Sequence, residues 1–280
     1  LGLSALILPL LVHQQLIRQE VPVMIGVSLL LWALAADGGI SRGDGLLFVV
    51  LLSVYTFLII RQSRRETAAI REEYKTSMPG DGRAWDRHWG VQVALVLVGL
   101  GLLVLGAQSL VEAAVIMARA LGMSELIVGL TIVAAGTSLP EVATSILAAM
   151  RGERDIAVGN VVGSNIFNIL AVLGISASVA PGDLAVAPSL LAFDLPVMVA
   201  VALACLPIFF TGNRIARWEG VLFLAYYAAY STYLILDASG HDAQSGFSRV
   251  MGGFVLPLTA ITLIVFAWRH WQAVQTRRIR

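Results

Sequence analysis

Two polar segments lie inside long apolar stretches of this chain: Gly136-Thr137-Ser138-Leu139-Pro140-Glu141 and Gly159-Asn160-Val161-Val162-Gly163-Ser164-Asn165-Ile166-Phe167-Asn168. Each segment falls near the middle of a hydrophobic run that is long enough to cross a bilayer. A charged side chain at that depth costs about 2.5 to 3.5 kcal/mol on insertion scales, and such residues usually belong to a functional site. The two segments together predict a cation site within the membrane.

The composition predicts an integral membrane protein. Hydrophobic residues make up 58% of the 280 positions, charged residues 13%, and the mean hydropathy is +0.83, whereas soluble proteins are about 45 to 50% apolar. No ladder of alternating ten-residue strands is visible, so the predicted fold class is all-α. Nine apolar segments can be distinguished: 1–12, 21–36, 45–60, 91–118, 126–150, 156–180, 195–212, 218–236 and 250–268.

The distribution of basic residues predicts the orientation. If the charged segment 61–90 is cytoplasmic, 16 Lys and Arg residues lie inside and three lie outside. This asymmetry is typical of membrane proteins, and it places the C-terminus in the cytoplasm as well. The net charge of +1 gives no indication of a nucleic-acid partner.

An internal repeat relates the two halves of the chain. Residues 1–9 return at 173–181, and Val21-Pro22-Val23-Met24 returns as Leu195-Pro196-Val197-Met198. With the orientation above, the two copies cross the membrane in opposite directions, which is typical of secondary transporters. The predicted organisation is the end of a first repeat at 1–60, a cytoplasmic connector at 61–90, a complete second repeat at 91–236, and an accessory helix with a basic tail at 237–280. The first repeat is therefore expected to be incomplete at its front, with a twin of the polar motif preceding Leu1.

The polar segments offer oxygen ligands on two helical stripes. One stripe, with spacing i, i+4, i+8, carries a carboxylate between two hydroxyls, and the other carries two amides and a hydroxyl. The members are Thr137, Glu141 and Ser145, and then Asn160, Ser164 and Asn168. Hard cations such as Ca²⁺ bind about six to eight oxygens, whereas Zn²⁺ and copper favour His or Cys, and the four histidines lie outside the apolar spans. For each hydroxyl alone, a bond back to its own helix is the open alternative.

Pro140 predicts a break in the first of these spans. Proline has no N–H and disturbs the preceding turn, and Gly136 weakens the helix further, so the carbonyl of Ala134 becomes a candidate ligand. Gly159 and Gly163 are expected to loosen the second span more weakly. Their spacing also fits close helix packing, which remains an alternative.

The pair of motifs resembles the α-repeat of the cation/Ca²⁺ exchanger superfamily, specifically its bacterial sodium/calcium exchanger-like branch. The resemblance extends to about Leu236. It implies two inverted five-helix halves that exchange ions by alternating access, in the inner membrane of a bacterium. It further implies that Glu141 is the central Ca²⁺ ligand, and that the other ligands are Thr137, Ser138, Ser164, Asn168 and the carbonyl of Ala134.

The resemblance leaves the driving ion open. Relatives that exchange three sodium ions for one calcium often have Asp where this chain has Asn168, and the neutral amide makes Ca²⁺/H⁺ exchange the alternative to Ca²⁺/Na⁺ exchange. The expected partners are Ca²⁺, a monovalent counter-ion and the lipid bilayer, with a monomeric protein and no bound cofactor. A cation channel and an intramembrane hydrolase are the rival functions, although no His or Lys that could serve as a general base occurs in any span.

Overall fold

The computed structural model describes residues 1–12, 16–77, 89–122, 128–210 and 214–239, and beyond them 246, 248, 251–257, 259–261, 264 and 268. The side chains of 63–77 are outside this description. The predicted accessory helix at 250–268 and the tail lie largely outside the described residues, apart from a π-helical turn at Met251–Val255.

Helices dominate the described part of the chain, and six of them are long and apolar enough to cross a membrane. The helices in chain order are α1 (Gly2–Ile7), α2 (Leu16–Asp37), α3 (Arg42–Ser77), α4 (Trp89–Ala120), α5 (Thr131–Thr137), α6 (Leu139–Met150), α7 (Arg154–Val179), α8 (Leu190–Phe209) and α9 (Arg217–Ala238). The candidate spans are α2, α4, α7, α8, α9 and the Arg42–Gln62 part of α3, and the pair α5 and α6 passes the same test as one bent span.

The observed helices match the predicted apolar segments closely. Seven of the nine segments correspond to the six spans and the bent pair. The segment 1–12 contains α1 and a short strand, β1 (Leu10–Leu11). Helix α3 continues beyond residue 60 into the predicted connector as far as Ser77, and residues 78–88 lie outside the described part.

The chain divides into two compact units that interleave along the sequence. The first consists of Leu1–Gly38, Ala107–Ile166 and Val186–Arg280, and the second of Gly39–Gly106 and Phe167–Ala185. Helices α4 and α7 each contribute to both units. The predicted boundaries of the repeats and the connector stay predictions.

In the first unit, α1 packs against α9 and also touches α6, while α2 packs against α8. The contact between α1 and α9 is close because Gly2 faces Gly220. Strand β1 pairs antiparallel with β4 (Arg214–Ile215), with Leu10 opposite Ile215. The largest fully buried side chains of this unit are Leu10, Ile17, Val21, Val158, Val162, Ile166, Ile208, Phe209 and Ile215.

In the second unit, the Gly174–Val179 part of α7 packs against α3. Gly45 and Gly174 face each other in this contact. Strand β2 (Gly39–Ile40) pairs antiparallel with β3 (Leu184–Ala185), with Ile40 opposite Leu184. The largest fully buried side chains are Phe48, Ile40 and Leu170.

The repeat predicted from the sequence is visible in the local backbone. A π-helical segment at Leu16–Glu20 precedes the α-helical part of α2, and another at Leu190–Asp194 precedes that of α8. Each leads into a proline, Pro22 or Pro196, whose missing N–H disturbs regular α-helical bonding at that point. Corresponding positions of the two copies therefore adopt the same unusual conformation.

The acidic residues at two corresponding helix starts are caps. Oδ2 of Asp44 accepts hydrogen bonds from the backbone N–H of Ser41 at 2.9 Å and from its hydroxyl at 2.6 Å. Oε2 of Glu219 accepts the backbone N–H of Ala216 at 2.7 Å. Both carboxylates satisfy backbone donors at a helix start.

Candidate cation site

The span that carries the first polar motif is broken at the predicted place. Helices α5 and α6 meet at an angle of 50°, and Ser138 lies at the junction with φ −95° and ψ 4°. The N–H of Ser138 bonds to the carbonyl of Ala135 at 3.2 Å rather than to that of Ala134. Pro140 has no N–H to offer to the carbonyl of Gly136, so the helical ladder is interrupted on both sides of the break.

Glu141 follows the break in the first turn of α6. Its side chain is half-buried, and its Oε2 atom is buried and has no hydrogen-bond partner among the described residues. A buried acceptor without a partner costs about 1 to 3 kcal/mol, and more when it is charged. The lone pairs of this oxygen are therefore available to a cation or a proton, which fits the predicted role of Glu141 as a ligand.

Hydroxyl groups flank the carboxylate along the same span. Thr137 and Ser138 are exposed at the end of α5 and at the junction. Thr144 donates to the carbonyl of Pro140 at 2.8 Å and to that of Glu141 at 3.1 Å. A hydroxyl that donates its single proton in this way keeps lone pairs with which it can accept a hydrogen bond.

Asn160 connects α7 to the part of α6 that carries Glu141. Its side-chain nitrogen donates to the carbonyl oxygen of Glu141 at 3.2 Å, to the hydroxyl of Thr144 at 3.0 Å and to that of Ser145 at 3.0 Å. The sequence had placed Asn160 on the ligand stripe of α7 but gave it no role as a ligand or as a support. The pattern of spacing alone could not show that its amide reaches across to the neighbouring helix.

The other predicted ligands on α7 are placed differently from one another. Ser164 is half-buried, and its hydroxyl donates to the carbonyl of Val161 at 2.9 Å, which is the alternative that the sequence left open for each hydroxyl. Asn168 is exposed at the start of a π-helical segment, Asn168–Leu173, and belongs to the second unit. Ala134 is described through its backbone alone. The ligand roles of all six predicted residues stay predictions.

The two glycines of the second motif differ from the expectation. Helix α7 is regular through Gly159 and Gly163, and its irregular segment begins at Asn168 instead. A Cβ on Gly159 would meet the side chain of Leu16 at 3.7 Å, an ordinary contact, and one on Gly163 would meet nothing within 4 Å. Without a nearby proline the hydrogen-bonded ladder tolerates these glycines, so the predicted loosening at 159–163 is wrong.

The donor set favours a hard cation. Among the described residues no three His, Cys, Asp or Glu side chains come together, and the groups around the break are hydroxyls, carbonyls, an amide and one carboxylate. Oxygen donors of this kind suit Ca²⁺ and Na⁺ rather than transition metals.

A sequence profile of the family described as sodium/calcium exchanger protein matches residues 91–236, which is more than half of the 280 positions. The chain belongs to the sodium/calcium exchanger family. The matched region includes both polar motifs and the predicted second repeat, so the resemblance inferred from those motifs is confirmed.

Individual relatives agree with this assignment. The inner membrane protein YrbG of Escherichia coli is 38% identical over 209 residues, which cover 72% of this chain and 62% of YrbG. The sodium/calcium exchanger MaX1 of Methanosarcina acetivorans is 44% identical over 132 residues, covering 47% of this chain and 37% of MaX1. The chain thus spans less than two thirds of the length of these relatives.

The fold has a solved counterpart within the sodium/calcium exchanger family. The structure of the sodium/calcium exchanger from Methanococcus jannaschii matches with a TM-score of 0.61 at 29% identity, over 81% of this chain and 68% of that one. The predicted fold class, a helical membrane protein of the inverted-repeat exchanger type, is confirmed. The protein is an integral membrane protein of a transporter family rather than of an enzyme class.

Proposed function

We propose that this protein exchanges Ca²⁺ for Na⁺ across the membrane by alternating access. The observation that carries the proposal is the buried Oε2 of Glu141, which no described residue bonds and which lies just after the 50° break between α5 and α6. Membership of the sodium/calcium exchanger family supports it, as does the name of the solved relative.

In the proposed mechanism, Ca²⁺ and the driving cation occupy the same oxygens in turn. Glu141 is the central ligand, and Thr137, Ser138, Ser164, Asn168 and the Ala134 carbonyl supply further oxygens. Only an occupied and charge-balanced site allows the repeats to rearrange, because an uncompensated charge is costly in a low-dielectric interior. Ca²⁺ requires a second acidic group besides Glu141, whereas one Na⁺ balances Glu141 alone.

Ca²⁺/H⁺ exchange is the second candidate, and Asn168 is the residue that favours it. An amide at this position supplies an oxygen but no negative charge, which reduces the number of Na⁺ ions that the site can neutralise. Protonation of Glu141 would then balance the site when Ca²⁺ leaves.

We also propose the bacterial inner membrane as the location, with segment 61–90 and the C-terminus in the cytoplasm and a monomer as the transporting species. The distribution of 16 basic residues inside and three outside supports this orientation.

The test is Ca²⁺ uptake into liposomes that contain the whole protein as its gene encodes it. Uptake driven by an outward Na⁺ gradient supports Ca²⁺/Na⁺ exchange, and uptake driven only by an outward proton gradient selects the second candidate. Uptake that needs no counter-ion indicates a channel. Absence of Ca²⁺ uptake under all three conditions contradicts the proposal.

A further inference from the structure

The side-chain amide of Asn160 is held by three acceptors on α6. They are the carbonyl oxygen of Glu141 at 3.2 Å, the hydroxyl of Thr144 at 3.0 Å and the hydroxyl of Ser145 at 3.0 Å. An amide nitrogen carries two hydrogens, so one hydrogen is shared between two of these acceptors. The three contacts tie α7 to the first two turns of α6.

We infer that Asn160 is a positioning residue, which sets the place of the Glu141 carboxylate through the backbone of α6 and thereby the affinity and selectivity for divalent cations. This inference rests on the proposed function. The amide contacts the carbonyl of Glu141 and the hydroxyls one turn further on, so it acts through α6.

The orientation of the amide follows from its partners. The carbonyl of Glu141 can only accept a hydrogen bond, so the nitrogen of Asn160 and not its oxygen must face α6. Thr144 extends the network because its own proton goes to the carbonyl of Pro140 at 2.8 Å. The hydroxyl of Thr144 is therefore free only as an acceptor towards Asn160, and the direction of each bond is fixed.

The network lies at the start of α6, next to the break. The helix begins at a 50° break, and Pro140 removes a hydrogen bond that would connect it to α5. Glu141 is in this first turn, so a small movement of the turn displaces its carboxylate. Ser145, 1% exposed, needs a polar partner within the protein, and Asn160 provides one.

Residues that orient a metal ligand typically change metal affinity about 10- to 100-fold when they are replaced. The variant Asn160→Leu keeps the branching pattern of the side chain and removes both N–H donors. We expect it to raise the KM for Ca²⁺ at least about tenfold, to reduce the preference for Ca²⁺ over Sr²⁺, and to leave the maximal rate within about twofold.

Asn165→Leu is the matched control on the same helix. Asn165 is exposed and its amide bonds to the carbonyl of Val161 within α7 at 3.0 Å, so the same change should leave the KM and the Ca²⁺/Sr²⁺ preference unaltered. A helix-packing role for Asn160 would lower the amount of folded protein or the maximal rate without moving the KM. An unchanged KM in Asn160→Leu overturns the inference.

Ser145→Ala provides a second measurement if Asn160→Leu does not fold. It removes one of the three acceptors of the Asn160 amide, so we expect a smaller increase in the KM for Ca²⁺, of about threefold. An unchanged KM in this variant, with Asn160→Leu not folded, also overturns the inference. If the unmodified protein catalyses no Ca²⁺ flux, the proposed function fails. If it exchanges Ca²⁺ normally and the variants have the same KM for Ca²⁺, only the positioning role is contradicted.

Discussion

Gly45 and Gly174 face each other across the contact between α3 and α7, and a Cβ on Gly45 would lie 2.8 Å from the carbonyl oxygen of Gly174. A Cβ on Gly220 would lie at the same 2.8 Å from the carbonyl oxygen of Gly2, in the contact between α1 and α9. The sequence repeat aligns Gly2 with Gly174. It also aligns Gly45 with Gly220, because Ile40-Ser41-Arg42-Gly43-Asp44-Gly45 returns as Ile215-Ala216-Arg217-Trp218-Glu219-Gly220. Each contact thus joins one helix of the first copy to one of the second, and the duplication is preserved in the packing.

Gly45→Ala should destabilise the protein by about 1 to 3 kcal/mol, because the new methyl group meets backbone atoms that cannot rotate away. Gly26→Ala in α2 is the control, since a Cβ there meets nothing within 4 Å, and it should be neutral or stabilising by up to about 1 kcal/mol. Thermal unfolding of the detergent-solubilised variants measures both. Equal stability of the two variants would contradict the close approach.

Glu141→Gln should abolish Ca²⁺ flux while the protein still inserts and folds, because the amide keeps the shape but removes the charge that the site requires. Glu112→Gln in α4 makes the same chemical change at an exposed carboxylate and should retain flux. The measurement is Ca²⁺ uptake into liposomes at matched protein content. Wild-type flux in Glu141→Gln would remove this residue from the mechanism.

Gly136 lies directly against the side chain of Val111 on α4, so that a Cβ at this position would overlap the Cγ2 atom of Val111. We expect Gly136→Ala to cost about 1 to 3 kcal/mol of stability. Adding Val111→Ala should recover part of this loss, because it removes the overlapping methyl group. A double-mutant cycle on thermal stability measures the coupling, and strictly additive effects would contradict the contact.

Tyr230 donates a hydrogen bond of 2.7 Å to Oδ1 of Asp194, and its ring is stacked on Phe193 with centroids 6.0 Å apart. Tyr230→Phe keeps the stack and removes the hydrogen bond, which should cost about 1.5 to 3 kcal/mol because the acceptor is a carboxylate. Tyr227→Phe, at an exposed position on the same helix, should cost far less. Comparable losses in the two variants would show that the hydrogen bond contributes little.

Single cysteines should report the proposed orientation. Cys205 is buried and can be replaced by Ala to give an unreactive background. With segment 61–90 inside, the alternation of the spans puts the exposed residue Arg151 inside and the exposed residue Asp183 outside. Asp183→Cys should therefore react with an impermeant maleimide in intact cells, whereas Arg151→Cys should react only after lysis. The opposite pattern would invert the topology.

The sequence alone determined the class of the fold and the position of the break. Apolar runs of bilayer length predict helices because backbone groups in lipid must bond within their own segment. Pro140 predicts the bend because it lacks a donor whatever surrounds it. Both arguments depend on local chemistry, and the structure confirmed them at the expected residues.

The same local reasoning failed at Gly159 and Gly163, where glycine only permits a distortion and does not impose one. It also missed the hydrogen-bond partners of Asn160, since the partner of a side-chain amide is set by the neighbouring helix and not by spacing along its own.

Sequence therefore determined which segments are long and apolar enough to cross a membrane, that the chain contains a repeat, and that a carboxylate follows a broken helix. Only the tertiary structure decided that Oε2 of Glu141 is left without a partner among the described residues, and that the amide of Asn160 bonds to the carbonyl of Glu141 on the neighbouring helix. The physical reason is that burial and hydrogen bonding between helices depend on how separate segments pack, and this information is absent from the order of residues within any one of them.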